Sequence, residues 1–306
     1  MKSFLERIAA GIQYLLPHHF LSGLIYRLMR IETTWIKNFQ IRTISRLVGV
    51  NWSEAASTEL SSYRHFNAFF TRELKDGARR TQGNSESLVC PCDGRISEHG
   101  PIRGDRVFQA KGQEYSLQSL LAKDEGTHQW IDGYFFTIYL SPRDYHRVHM
   151  PTDGRLERMT HVPGRLFSVA PYTVRKVPGL FARNERVISI FDTPHGPIAQ
   201  ILVGAMLVSS METSWDGEIT PARSGYIGTR HYADRRIEIA RGEEMGRFNM
   251  GSTVILVLPP GLVKEPPALA PGELVKLGQS LIELGPPGAE TNPEPGTQSE
   301  PTGSST

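Results

Sequence analysis

Apolar side chains change their spacing near residue 87 of this chain. Before it they recur with the period of a helix. Phe4, Leu5, Ile8, Ile12, Leu15 and Leu16 form one stripe, which Pro17 interrupts and Leu21, Leu24, Ile25 and Leu28 resume. Asn51 or Ser53 can open a further helix, and the segment 61–73, SSYRHFNAFFTRE, predicts one more. From about residue 87 short apolar runs alternate with Gly and Pro turns: Leu88-Val89, Tyr134–Leu140, Val187–Phe191, Ile198–Val208, Ile237–Ala240 and Thr253–Leu258. The pattern predicts an α+β fold, with N-terminal helices on a mainly antiparallel β body. Two segments, CPCDGRIS at 90–97 and TPARSGYIG at 220–228, both set a Pro ahead of a Gly and a β-branched residue, which hints at a repeated β unit. Beyond residue 284 apolar residues almost vanish, so 285–306 is expected to be a disordered tail. The organisation expected is a helical region over 1–80, a β-rich domain over 81–284, and the tail.

Composition changes this picture in two places. The chain has 306 residues, 39% of them hydrophobic and 22% charged, enough for a sizeable core. The net charge of +2 offers no argument for nucleic acid. The charge is uneven, however. Residues 1–50 hold Lys2, Arg7, Arg27, Arg30, Lys37, Arg42 and Arg46 against Glu6 and Glu32 only. A basic, apolar terminus reads as a surface for anionic membranes, or as a helical cap whose apolar faces pack on the domain; both remain open on the residues alone. No window reaches the roughly 18 consecutive apolar residues of a membrane span. Glu6 and Arg7 also break up any signal-peptide core. If the protein meets a membrane, it lies on it. The two cysteines, Cys90 and Cys92, form a C-x-C pair badly placed to bridge, and a chain so poor in cysteine fits a reducing compartment.

Three short segments carry candidate chemistry. Cys92-Asp93-Gly94 puts an acid at a strand start, where it often serves only as a turn residue. Ser141–Pro151, SPRDYHRVHMP, crowds Arg143, Asp144, His146, Arg147 and His149 behind an apolar strand. Gly251-Ser252-Thr253 precedes another strand, again a common turn pattern. Together they supply Asp93, His149 and Ser252, an acid, a base and a hydroxyl that can form a charge relay. A serine hydrolase built on these three is one reading, although the G-x-S-x-G elbow is missing. A carrier-like β module is another, but neither similar segment has the lysine it would need. His146 and His149 stand three residues apart, a spacing that can pair metal ligands on a helix. The preceding strand, Pro142 and the lack of a third ligand argue against a metal site.

These segments resemble the bacterial, pyruvoyl-dependent phosphatidylserine decarboxylase family. The likeness rests on YLSPRDYHRVHMP (139–151), VPGRLFSV (162–169), LFARNERV (180–187), AQILVGAMLVSS (199–210), QAKGQEYSL (109–117) and EMGRFNMGSTVI (244–255). It covers about residues 60–260, and Met250 stands where the family's L-G-S-T motif has Leu. The resemblance implies that Ser252 attacks the Gly251 carbonyl, with His149 taking its proton and Asp93 orienting His149. The peptide bond becomes an ester, and elimination and hydrolysis leave a covalent pyruvoyl group at residue 252. The zymogen thereby becomes a large chain, 1–251, and a small chain, 252–306. The pyruvoyl ketone would take the substrate amine as a Schiff base and serve as electron sink, with His146 as proton donor, turning phosphatidylserine into phosphatidylethanolamine. Arg143 and Arg147 are read either as anion-binding residues or as structural ion pairs. The resemblance further implies a lyase of phospholipid biosynthesis, peripheral on the cytoplasmic face of the inner membrane. It leaves a homo-oligomer open and gives nucleic acid no part.

Overall fold

The longest apolar runs become the middle of one sheet. In the computed structural model, which describes residues 2–110, 112–206, 210–220, 225–249 and 252–285, Ser252–Leu258 pairs antiparallel with Tyr134–Leu140 on one side and Ile198–Val203 on the other. The order continues through Arg186–Asp192, Gly154–Val162 and Gly228–His231 on one flank, and through Gly94–Pro101 and Leu274–Val275 on the other. A strand covered on both faces has no solvent side, so it reads as a continuous apolar run. Ser252–Leu258 is buried at every position. Its period of two feeds two cores. Val254, Leu256 and Leu258 join Phe136, Leu140 and Met150 on one face, while Ile255 and Val257 join Trp130, Phe135 and Phe167 on the other. A smaller sheet holds Gly217–Glu218, Met211–Thr213, Glu244–Phe248 and Arg147–His149.

Among the described residues the expected α+β class and its antiparallel body stand. The strand expected over 198–208 ends at Val203, and Leu207 and Val208 lie outside the described residues. So do Pro221–Ser224 of the second similar segment, the Met250-Gly251 pair, and the expected tail from 286 onward.

Four helices precede the body: α1 (Lys2–Leu15), α2 (His18–Leu28), α3 (Thr34–Val48) and α4 (Phe66–Phe70). Pro17 divides the first two, and Gly49 closes α3 in the left-handed conformation, φ 76°. The helix expected over 61–73 shrinks to α4. The His65 ring accepts from the Ala68 N–H at 3.0 Å and starts the helix late, after a 3₁₀ turn at Leu60–Ser62. Asn51 likewise opens only a 3₁₀ turn, Trp52–Glu54.

The apolar stripe of the first helices faces away from the body. Leu5, Ile8, Ile12 and Leu15 on α1, Phe20 and Leu24 on α2, and Trp35, Phe39 and Leu47 on α3 are exposed. The buried positions include Gln13, His18, Ser22, Lys37 and Ser45. Polar bonds dock this layer. Ser168 N donates to Gln13 Oε1 at 2.9 Å, Leu166 N to His18 Nδ1 at 3.2 Å, and Arg165 to the Tyr14 carbonyl at 2.7 Å. The exposed stripe does not cap the core, whereas Ile41 and Ala10 from the same helices do pack into it.

Candidate active site

Antiparallel pairing brings three chain segments to one end of the main sheet. Tyr134–Leu140 ends there, while Gly94–Pro101 and Ser252–Leu258 begin there, with Arg95 opposite Tyr139 and Ser252 opposite Leu140. Asp93 stands one residue before the first strand. Gly94 has to be glycine: a Cβ on it would sit 2.5 Å from the Tyr139 carbonyl oxygen. The Asp-Gly pair thus marks a close crossing of strands.

The segment after Leu140 folds back over this end. Ser141 donates from its amide and its hydroxyl to Asp144 Oδ2, both at 2.7 Å, which shapes the turn. The Phe248 amide, four residues before Ser252, donates to the His146 carbonyl at 3.0 Å. The His149 amide donates to the carbonyl of Pro91, two residues before Asp93, at 2.8 Å. Backbone bonds therefore tether each histidine segment to one of the other two candidate segments.

Ser252 is fully buried and its Oγ has no hydrogen-bond partner among the described residues. It shares a sheet face with Val254, on the side of the core that contains Val148 and Met150. His146 is also fully buried. Its ring lies 4.0 Å from the Phe70 ring, centroid to centroid. Its Nδ1 is 2.8 Å from the Asp144 carbonyl, which can only accept, so the proton sits on Nδ1 and Nε2 is a bare acceptor with no partner. Burial pushes its pKa down to about 3, with the nearby Arg72 charge adding to the shift against the Asp144 bond. His149 donates from Nδ1 to the Gly242 carbonyl at 2.8 Å and accepts from the Tyr145 hydroxyl at 3.1 Å on Nε2. Burial lowers its pKa as well. Both imidazoles are neutral at pH 7.

Asp93 does not touch either histidine. Its carboxylate receives Arg79 from both Nε, at 2.8 Å, and Nη2, together with the Leu277 amide at 2.9 Å and Lys276 at 3.5 Å. Burial alone would raise its pKa, but Arg79, the Leu277 amide and Lys276 outweigh burial and hold it below the usual carboxylate range. A direct Asp93–His149 contact, expected from the relay, is replaced by Gly242, whose carbonyl fixes the His149 tautomer. Arg147 is ion-paired, donating to Glu244 at 2.9 Å and to the Thr71 carbonyl at 2.9 Å. The sequence reading missed Arg79, Tyr145 and the Gly242 carbonyl. It also missed Asn67, which donates to Asn249 at 2.8 Å and so ties α4 to the segment leading into Ser252. Arg79 sits in an unremarkable GARR run, and a backbone carbonyl leaves no trace in residue type.

Comparison with known proteins first places the chain among the decarboxylases. The family model described as phosphatidylserine decarboxylase matches residues 66–283, and a second, described only as PSD, matches 8–48. The chain belongs to the phosphatidylserine decarboxylase family. It is 53% identical over 255 residues to the phosphatidylserine decarboxylase proenzyme of Alkalilimnicola ehrlichii, covering 82% of this chain and 88% of that protein. It is 50% identical over 276 residues to the proenzyme of the same name from Methylococcus capsulatus, covering 90% and 96%.

Proposed function

We propose that this chain is a zymogen that cuts itself between Gly251 and Ser252, makes a pyruvoyl group from Ser252, and then decarboxylates phosphatidylserine to phosphatidylethanolamine at an anionic membrane surface. The observation that carries this reading is the Ser252 hydroxyl, buried at the head of the central strand without a partner. Such a group costs about 1–3 kcal/mol, which an alanine would avoid, so a reacting role explains it better than a structural one. The position also fits the group: a cut before residue 252 leaves the whole strand paired on both sides.

In cleavage, His149 Nε2 takes the Ser252 proton, giving up the Tyr145 hydroxyl, while Gly242 keeps Nδ1 protonated. Oγ bonds to the Gly251 carbonyl carbon as the C–N bond breaks. Elimination frees the Gly251 carboxylate, and water uptake with loss of ammonia leaves the ketone on 252. Asp93 serves as a positioning residue: with Arg79 it anchors the segment whose Pro91 carbonyl holds the His149 backbone. The pyruvoyl ketone supplies the electron sink for the pair left behind by carbon dioxide. His146, neutral with a bare Nε2, takes a proton from the substrate ammonium and returns it to carbon after decarboxylation. The hydrolase alternative draws no support from the family, and its Asp–His contact is not made.

The outward apolar stripe supports peripheral docking on the cytoplasmic face of the inner membrane. Exposed Arg7, Arg27, Arg42 and Arg46 flank it, and no helix among the described residues is long and apolar enough to cross a bilayer. The working enzyme then consists of chains 1–251 and 252–306, alone or as a homo-oligomer.

A denaturing gel with intact masses tests the chemistry. The parent should show both chains, and Ser252→Ala a single inactive one. His149→Ala should accumulate the full-length chain, whereas His146→Ala should cleave yet decarboxylate roughly 10²–10⁴-fold more slowly. Full activity in an uncleaved chain would refute the proposal.

A further inference from the structure

One buried cation near His146 lacks the partners that the other buried arginine among the described residues has. Arg72 is 4% exposed. Among the described residues its Nε and Nη1 have no hydrogen-bond partner, and Nη2 reaches only the Arg143 carbonyl, at 3.4 Å. No carboxylate among the described residues lies within ion-pair distance of it. Arg186, 2% exposed and also without an acid, shows what a structural buried arginine looks like in this protein. Its nitrogens donate to the carbonyls of Ser119, Leu120, Ala182 and Asn184 at 2.7–3.0 Å. Arg79, near Arg72 in sequence, is matched by Asp93 and Glu54. A guanidinium cannot shed its proton at any working pH, so the unpaired charge of Arg72 persists.

The surroundings place that charge at the reacting end of the sheet. Arg72 directly follows α4 and the residue after it. Phe69 lies under its guanidinium, 5.4 Å from ring centroid to Cζ, and Phe70 lies against the His146 ring. The Arg72 charge is felt at His146. His146 Nε2 and Ser252 Oγ, which the proposed chemistry uses, are also buried without partners among the described residues, as are Asn67 Oδ1 and Thr253 Oγ1.

We propose that Arg72 binds an anionic oxygen of the substrate, namely the phosphodiester of the phospholipid head group; the inference rests on the reading given under Proposed function. The head group offers two anions, the phosphodiester and the carboxylate. The carboxylate loses its charge as carbon dioxide leaves, so a donor bound to it would stabilise the ground state more than the transition state and slow the reaction. The phosphodiester keeps its charge from substrate to product. A cation there binds without raising the barrier.

The test uses the processed enzyme with Arg72→Gln and Arg72→Lys. Self-cleavage and decarboxylation by the parent come first, since their failure would refute the underlying reading and not this one. Cleavage of each variant then reports whether its fold and Ser252 site are assembled. The probe is glycerophosphoethanolamine, which carries the phosphodiester and ammonium but no carboxylate, measured as an inhibitor of phosphatidylserine decarboxylation in mixed micelles. Arg72→Gln should raise KM and the inhibition constant together, roughly 10–100-fold, with kcat changed far less and Arg72→Lys recovering part of both. A raised KM with an unchanged inhibition constant would put Arg72 on the carboxylate and overturn the proposal. So would KM and inhibition both at parental values, or failure of both variants to cleave, which would make Arg72 a structural residue.

Discussion

The helices α1–α3 leave many large apolar side chains exposed, whereas the β body buries most of its own. In the body, Tyr134–Leu140, Ile198–Val203 and Ser252–Leu258 turn apolar residues into two cores, one on each face of the sheet. In the helices Leu15, Phe20, Trp35, Phe39 and Leu47 point outward, while Gln13, His18, Ser22, Lys37 and Ser45 point in. Burial of apolar area stabilises the body from within. The same term, worth about 1.5–3 kcal/mol for a fully buried large side chain, is left unused at these outward positions, although Ile41 and Ala10 do enter cores. Directional bonds add to the contact with the body, such as Tyr26 and Arg30 to Glu218 at 3.0 and 2.9 Å. An apolar face that finds no partner in its own chain points to one outside it.

Truncating a side chain in each region gives the widest contrast. Phe136→Ala, in the core, should cost about 3–5 kcal/mol in denaturant unfolding. Trp35→Ala, at a residue 72% exposed, should stay within about 0.5 kcal/mol. Equal losses would mean that Trp35 packs in solution and would break the comparison.

Membrane binding should reverse the ranking. Changing Trp35, Phe39 and Leu47 together to Ser should weaken sedimentation with phosphatidylserine-containing vesicles by about 150-fold, as each side chain contributes about 1 kcal/mol on partial burial. Turnover of a short-chain, soluble phosphatidylserine should hardly change. Vesicle binding at the parental level would remove the outward stripe from the docking surface.

A last expected effect concerns acid. His146 has its pKa depressed from the ordinary 6.5 to about 3 by burial, so the folded state favours the neutral ring. Its contribution to stability is full above pH 6.5 and is lost as the pH falls from there towards 3, by about 1.4 kcal/mol per pH unit. His149, shifted the same way, adds to the slope. Replacing His146 with Gln should flatten the dependence of unfolding free energy on pH between 6.5 and 5. An unchanged slope would show that His146 is solvated.

Much of this protein is legible in its residues, and the parts that are not share a cause. Apolar runs located Tyr134–Leu140 and the strand from Thr253 because a strand buried on both faces needs no polar alternation. A period of 3.6 located α1 and α2, but periodicity defines a face and says nothing of what that face meets. Only the packed structure decided that the face of α1–α3 turns outward. Local motifs singled out Asp93, His146, His149 and Ser252, and sheet pairing brings their segments to one end. The partners of these groups were decided over long sequence distances, by Gly242 for His149 and by Arg79 and Leu277 for Asp93. A backbone carbonyl is the same in every residue, and an arginine on the surface spells the same as one beneath it. Such contacts exist only after the chain has closed on itself, which is why residue type alone determined the chemistry on offer and tertiary structure decided which groups meet.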